Sequence, residues 1–105
     1  MTNMLPEEMV HGGIYEVTNT KTGDFCVGYF DYFKQHKSHT NGFVVMKDTI
    51  AHYNHLYDGH WNAVHYYKEF KNDSLKVRQL GKYEEQAYHA VIAAIKAFYL
   101  TQKNG

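Results

Sequence analysis

The first third of the chain contains two strand-like segments separated by turn residues, a pattern that predicts a β-hairpin. Residues 13–20 are rich in β-branched and aromatic side chains, and the turn-forming residues 21–24 separate them from a second such run, residues 25–33. The residues of this second run fall on two alternating faces. One face carries Phe25, Val27, Tyr29 and Phe33, and the other carries Cys26, Gly28, Phe30 and Tyr32. Both faces are therefore largely apolar, which is typical of a strand that is central in its sheet or bent around a small barrel.

The middle of the chain predicts a loop, a strand and a short helix. Residues 34–42 contain no apolar side chain and end in the turn pair Asn-Gly, so we expect an exposed loop. A short strand over Phe43–Lys47 follows. Asp48 or Thr49 is suited to cap a helix that ends at Gly59, because apolar residues then recur at helical spacing, at Ile50, Tyr53 and Tyr57.

Residues 61–80 predict a second hairpin. Two apolar segments, Trp61–Phe70 and Leu75–Leu80, are separated by four residues typical of turns, Lys71, Asn72, Asp73 and Ser74. We therefore expect these two segments to pair with each other as neighbouring strands.

The end of the chain predicts a long helix over residues 83–102. This segment is rich in alanine, contains no proline or glycine, and follows Gly81. At about 100° per residue, five apolar residues fall on one face that we expect to pack on the sheet. They are Ala87, Val91, Ala94, Ile95 and Phe98.

The opposite stripe of this helix is polar but interrupted. Its charged and polar members are Glu85, His89, Lys96 and Lys103, whereas Ile92 lies inside the stripe and Tyr99 and Leu100 flank it. We predict that Ile92, Tyr99 and Leu100 form the contact of a homodimer, in which the same helix of two copies meets itself. In the alternative, apolar residues of the N-terminal segment cover this strip within one chain, namely Met4, Leu5, Met9 and Val10.

These elements predict one α+β domain over residues 1–105. Residues 1–10 are a lead-in segment, and residues 83–102 are the C-terminal helix. We expect about five strands in the order ββ-β-α-ββ-α, which form a small curved antiparallel sheet or a partly closed small barrel. The C-terminal helix packs on one face of this sheet.

Composition and charge restrict the binding partners and the cellular location that we expect for the protein. Eleven acidic residues balance eleven basic ones, so the net charge does not steer the chain toward nucleic acid or an anionic membrane. The single cysteine, Cys26, has no internal disulfide partner, and a buried core role suits it better than that of a nucleophile. The N-terminus lacks the apolar run of a signal peptide, and no segment is apolar over the roughly 20 residues of a membrane span. We expect a cytoplasmic protein without membrane contact.

Histidine is the first candidate for site chemistry. The chain has eight histidines, and four of them lie within fourteen residues: His52, His55, His60 and His65. On the predicted short helix the first two share a face, so a third could complete a zinc site. The alternative is that these are ordinary surface and interface histidines. We expect no cofactor unless zinc occupies this cluster.

Aromatic residues are the second candidate, because ten tyrosines and six phenylalanines exceed the needs of a small core. Tyrosine is favoured at protein interfaces since it combines apolar area with a polar tip. The residues that we predict to contact a partner are Tyr53, Tyr57, Trp61, Lys34, His36, Lys37 and His39. The loop members of this set, with Tyr32 beside them, are also suited to stack on single-stranded nucleic acid. A chain with one arginine, Arg78, is poor in phosphate clamps, so nucleic acid is the weaker alternative.

The first hairpin, GIYEVTNTKTGDFCVGYF, resembles the opening motif of the GIY-YIG endonuclease family. Gly13, Ile14 and Tyr15 match its first triplet, and Cys26, Val27 and Gly28 stand at its second, where Cys26 replaces the tyrosine of the family. The family also uses an arginine on the following helix, which this chain lacks. The resemblance implies an inactive relative.

We therefore expect a small non-catalytic protein-binding or regulatory module with a surface rich in Tyr and His, and no catalytic residues. The partner and the pathway stay open. The alternatives are a metal-dependent or GIY-YIG-like nuclease domain, and a binder of single-stranded nucleic acid.

Overall fold

The computed structural model describes residues 4–35, 42–51 and 62–104. A 3₁₀ turn at Pro6–Glu8 precedes the regular elements. These are β1 (Ile14–Asn19), β2 (Phe25–Gln35), β3 (Gly42–Ala51), β4 (Ala63–Tyr66), α1 (Tyr67–Lys71), β5 (Leu75–Gln79) and α2 (Lys82–Asn104). The α+β class, the five antiparallel strands and the C-terminal helix agree with the prediction from sequence.

The five strands form one antiparallel sheet in the order β4-β3-β2-β1-β5. The predicted second hairpin is therefore wrong: β4 pairs with β3, β5 pairs with β1, and the two strands lie at opposite edges. Residues 67–71 form α1 instead of a strand, because Tyr67 and Phe70, three residues apart, are both buried on one side of a helical turn. No ladder joins the edge strands among the described residues, so the sheet is open.

The first hairpin agrees with the prediction. β1 pairs with β2 from Ile14 opposite Tyr29 to Thr18 opposite Phe25. The turn is stabilised locally, because the Asn19 side chain accepts hydrogen bonds from the backbone N–H groups of Lys21 and Thr22.

Two bulges interrupt the ladder between β2 and β3. Asp31 is an extra residue on β2, and one extra residue stands on β3 around Asp48, whose φ is +50°. Gly28 lies opposite the second bulge, where a Cβ atom would be 2.7 Å from Cγ2 of Thr49. The predicted helix does not begin at Asp48 or Thr49, since both residues belong to β3. The rest of that predicted helix, residues 52–59, lies outside the described residues.

The inner face of the sheet carries the main core. Its centre is formed by Tyr15, Val17, Phe30, Val44, Met46, Phe70, Leu75 and Val77. The N-terminal segment completes this core, because Met9 is buried in it and Met4 and Leu5 pack against it. These residues therefore do not cover α2, and that alternative from the sequence is wrong.

The outer face is covered in part by α2. Ile92 is 7% exposed and packs with Tyr88 and Ile14, which is the neighbour of inner-facing Tyr15 on β1. The predicted core face of the helix is wrong, since Phe98 is 66% exposed and Val91 is 45% exposed. Ile92, predicted at an exposed dimer contact, belongs to the interior of the single chain.

Polar contacts explain which side of α2 meets the sheet. The hydroxyl of Tyr88 donates to the backbone carbonyl of Asp48, and Nζ of Lys96 lies 2.9 Å from the Asp48 carboxylate. The positive φ of Asp48 at the bulge lets one residue hold the helix at two points. Among the described residues, no helix combines the length and apolarity needed to cross a bilayer.

Candidate functional site

Apolar side chains line the outer face beyond α2 across β2, β3 and β4, and Tyr32, Val64 and Tyr66 among them are exposed, whereas Val45 is buried. Direct partners in an antiparallel ladder project to the same side. The pairing therefore aligns one row of Tyr32, Val45 and Val64 and a second row of Lys34, Phe43 and Tyr66. We call the apolar part of this surface, Tyr32, Phe43, Val64 and Tyr66, the tyrosine strip.

The strip is large for residues at the end of a small sheet. Val64 is 52% exposed and Tyr66 is 57% exposed. The rings of Tyr32 and Phe43 pack edge to face with their centroids 6.3 Å apart. The strip thus combines ring packing within the sheet with apolar area left open to a partner.

The bulge at Asp31 creates this strip. Phe30 points to the inner face, and without an extra residue Tyr32 would point there as well. With the bulge, Tyr32 turns outward and Phe33 turns inward, where its ring centroid lies 5.1 Å from that of Tyr67. The simple alternation read from the sequence assigned these two residues to the opposite faces.

Ion pairs hold the bulge in place. Nζ of Lys47 lies 3.2 Å from the Asp31 carboxylate, and this hydrogen-bonded pair raises the pKa of Lys47. Nδ1 of His11 is 2.7 Å from the backbone carbonyl of Asp31. The side chain that the bulge displaces is therefore tied to β3 and to the N-terminal segment.

The edge of the sheet borders the strip. β4 pairs with β3 on one side, and no strand pairs with its other side among the described residues. Lys34 on β2 is exposed, as is Lys68, two residues after Tyr66. An open strand edge, an apolar strip and flanking positive charge therefore occur together at one end of the molecule.

Only one residue of the predicted partner surface can be placed in the structure. Lys34 lies in the second row of side chains, directly opposite Phe43. The other predicted contact residues lie outside the described residues: Tyr53, Tyr57, Trp61, His36, Lys37 and His39. The sequence showed a surplus of tyrosine but did not show that Tyr32 and Tyr66 meet, because their proximity depends on two strand pairings.

His65 is part of the inner core. It is buried between Val44 and Phe70, and its ring packs edge to face against Phe70 at 6.2 Å. Nε2 has no hydrogen-bond partner among the described residues, and burial lowers the pKa of His65 to about 4. This histidine is neutral at pH 7.

The predicted zinc ligands cannot be assembled from the described residues. His52, His55 and His60 lie outside them, and within them no group of three His, Cys, Asp or Glu side chains could hold a metal ion. The zinc site stays a prediction.

A shallow apolar groove of about 290 Å³ lies between α2 and the outer face of the sheet. Val27, Ile50 and Leu80 form its floor, and Tyr88 and Val91 form part of its wall. The groove is continuous with the apolar surface of the helix. Its floor carries no titratable or nucleophilic side chain.

The arginine of the chain has a structural role at the rim of this groove. Its two terminal nitrogens lie 2.8 and 2.9 Å from the two carboxylate oxygens of Glu84, and one is 3.5 Å from Glu16. The Arg78 guanidinium and the backbone N–H of Gly81 lower the pKa of Glu84 to about 2. Arg78 thus connects β5 to the first turn of α2 and is already occupied by carboxylates.

Cys26 is unsuited to nucleophilic chemistry. Its side chain is buried, and this burial raises the pKa of the thiol to about 12. The thiol therefore stays protonated and unreactive near neutral pH, in agreement with the core role expected from the sequence.

The first hairpin offers no accessible tyrosine of the GIY-YIG kind. Tyr15 is fully buried, and its hydroxyl accepts a hydrogen bond from the backbone N–H of Val10. Comparison of the chain with protein-family models, with curated proteins and with solved structures finds no match in any of the three. The resemblance therefore rests on the short motif alone.

Proposed function

We propose that this protein is a small non-catalytic protein-binding or regulatory module, which holds an extended acidic segment of a partner protein along the tyrosine strip. The observation that supports the proposal best is that the exposed strip meets the outer edge of β4, with which no strand pairs among the described residues. An incoming strand pairs with such an edge through its backbone and places alternate side chains over the neighbouring face.

The chemistry of the strip defines the partner segment. Alternate apolar side chains of an added strand would cover Val64 and Tyr66, whose exposed area is the largest on β4. The intervening side chains of such a strand would point to the other side of the edge, where α1 packs on the inner core and carries the exposed Lys68, so these residues are acidic in the partner that fits best. The four-residue length of β4 predicts a short recognition segment.

The curvature of the sheet, the location of the protein and its oligomeric state are further parts of this proposal. α1 contacts both β3 and β5, although these strands are three positions apart in the sheet order and would lie about 14 Å from each other in a flat sheet. We propose that the sheet curves toward a partly closed barrel, which turns the tyrosine strip outward. A cytoplasmic location accords with the single buried cysteine. The predicted homodimer also stays a proposal. Because Ile92 is buried within one chain, its contact would use another face of α2 than the one predicted from the sequence.

Fluorescence anisotropy with a labelled peptide of alternating glutamate and valine tests this function. We expect saturable binding, weakened about tenfold or more by Tyr66→Ser, because a buried tyrosine is a common energetic anchor at interfaces. Tyr83→Ser is the matched control, since Tyr83 is an exposed tyrosine on α2 outside the strip.

Two further probes make the result decisive. A peptide of alternating lysine and valine should bind more weakly than the acidic one. Equal binding of both peptides, or equal loss in both serine variants, contradicts recognition by the strip. Preferential binding of oligothymidylate would instead support the single-stranded nucleic-acid alternative.

A further inference from the structure

The side of α2 that points away from the sheet is apolar and uncharged over most of its length. At 100° per residue, one arc of the helix carries Tyr83, Ala87, Ala90, Val91, Ala94, Ala97, Phe98 and Thr101. We call this arc the outward face. All of its members are exposed, and Tyr83 is 82% exposed. Ala87 and Val91, at one border of the arc, also line the groove beside the sheet. Solvent-facing helix surfaces ordinarily carry charge, so this surface requires an explanation.

We propose that the outward face is the contact between two copies of this chain, which meet through an antiparallel pair of α2 helices. The proposal does not depend on the tyrosine strip, because the strip lies on β2, β3 and β4 and the outward face lies on α2.

The order of residues along the face is self-complementary, as a two-fold contact requires. Tyr83, Ala87, Ala90, Ala94, Ala97 and Thr101 are spaced alternately by four and three residues, which is the spacing of a coiled-coil seam. When two such seams run antiparallel, Ala87 of one copy lies opposite Ala97 of the other, and Ala90 lies opposite Ala94. Val91 then lies near the two-fold axis and meets the same residue of the second copy.

The side chains match this arrangement in size. Alanines at the centre let the helix axes approach to the short end of the 8–10 Å range. Tyr83 and Phe98 are the large residues, and they stand toward the two ends of the seam, where the helices diverge. Small residues lie opposite small ones in this register, and no like charges are brought together.

The available area is of the order that a stable dimer needs. Tyr83 and Phe98 together expose about 300 Å², if an aromatic side chain has an area of roughly 200 Å². Val91 and the alanines add a comparable amount, which approaches the roughly 800 Å² per partner of a standard interface. The sheet lies on the other side of α2, against Tyr88 and Ile92, so it does not obstruct a second copy.

Analytical ultracentrifugation of the full chain tests the contact. We expect a dimer at micromolar concentration, and Ala94→Glu should halve the sedimenting mass to that of the 12.3 kDa chain. His89→Glu is the control, because His89 is exposed on α2 but lies outside the outward face. Circular dichroism should show unchanged helix content in both variants. A wild-type chain that is monomeric at high micromolar concentration overturns the proposal, as does a dimer that survives Ala94→Glu.

Cysteine cross-linking tests the orientation without relying on the stability of the charged variant. Val91→Cys should form a disulfide-linked dimer under mild oxidation, because this position lies near the two-fold axis. Thr101→Cys should not, since an antiparallel pair separates the two copies of this residue. Cross-linking of Thr101→Cys in preference to Val91→Cys contradicts the antiparallel pair. Ala94→Glu should leave binding of the acidic peptide unchanged, so a failure here is distinct from a failure of the proposed function.

Discussion

The two faces of the sheet differ in what covers them. The inner face is covered by the chain's own N-terminal segment and by α1, and its central residues are almost fully buried. Among the described residues, the outer face is covered where Tyr88 and Ile92 of α2 pack on it, whereas Tyr32, Val64 and Tyr66 are exposed. This difference separates the two roles of apolar residues in a small protein: those of the inner face stabilise the fold, and those of the outer face are available for association.

Truncation of one phenylalanine on each face should give the largest contrast. Phe70 is 1% exposed in the inner core, so Phe70→Ala should lower the free energy of unfolding by about 3–5 kcal/mol. Phe98→Ala should change it by only about 0.5 kcal/mol, because this ring lies in solvent within one chain. Urea denaturation at a low, fixed protein concentration measures both values, since association adds to apparent stability. Similar losses in the two variants would show that the faces do not differ in this way.

Acid should weaken the inner face first. The pKa of His65 is about 4 in the fold and near 6.5 in the unfolded chain. As the pH falls below 6.5, the unfolded chain binds a proton that the folded chain does not bind until about pH 4, so stability decreases across this window. The loss approaches about 3 kcal/mol by linkage.

The pH dependence can be assigned to His65 by substitution. His65→Leu should flatten the stability profile between pH 6.5 and 4, whereas His89→Gln, at an exposed position, should leave its slope unchanged. The Glu84 carboxyl, with its pKa lowered from 4.5 to about 2, loses its stabilising effect as the pH falls from about 4.5 to 2, so it overlaps only the acid end of this window. An unchanged slope in His65→Leu would mean that other groups cause the acid sensitivity.

The smallest effect is expected at the attachment of α2. Tyr88→Phe removes the hydrogen bond to the Asp48 carbonyl but keeps the ring, and it should cost about 1 kcal/mol in chemical denaturation. Tyr83→Phe removes a hydroxyl from an exposed ring on the same helix and should have no measurable effect. Equal stability of the two variants would indicate that the Tyr88 hydrogen bond does not contribute to the attachment of the helix.

Local patterns in the sequence predicted the elements better than the contacts between them. The first hairpin and α2 were predictable because alternation, turn residues and alanine content act within a few residues. The pairing of β5 with β1 was not, since it depends on contacts between Tyr15 and Gln79, far apart in the chain. Residues 67–71 illustrate the same limit, because burial in the core selects a helix there over the strand that their composition favours.

The sequence predicted the type of residue in the candidate site but not the place of the site in the fold. The surplus of tyrosine directed attention to aromatic surfaces without locating one, because the bulge at Asp31 reverses the faces of Tyr32 and Phe33, and no single-strand pattern reveals a bulge. On α2, two apolar arcs lie side by side, and periodicity alone could not choose between them. The choice follows from Asp48 at the bulge, whose backbone carbonyl accepts a hydrogen bond from Tyr88 and whose carboxylate pairs with Lys96.

The ladder between β1 and β5 also sets the order in which the molecule can be built. β1 and β2 are joined by a short turn and can pair locally, but the other edge of β1 stays unpaired until residues 75–79 are in place. Contacts at such sequence separation slow folding, because a long loop must close before they form. During this interval Tyr15 and Val17 lack their final cover, so a nascent chain is most prone to mispairing at the strand that later becomes one of the best protected.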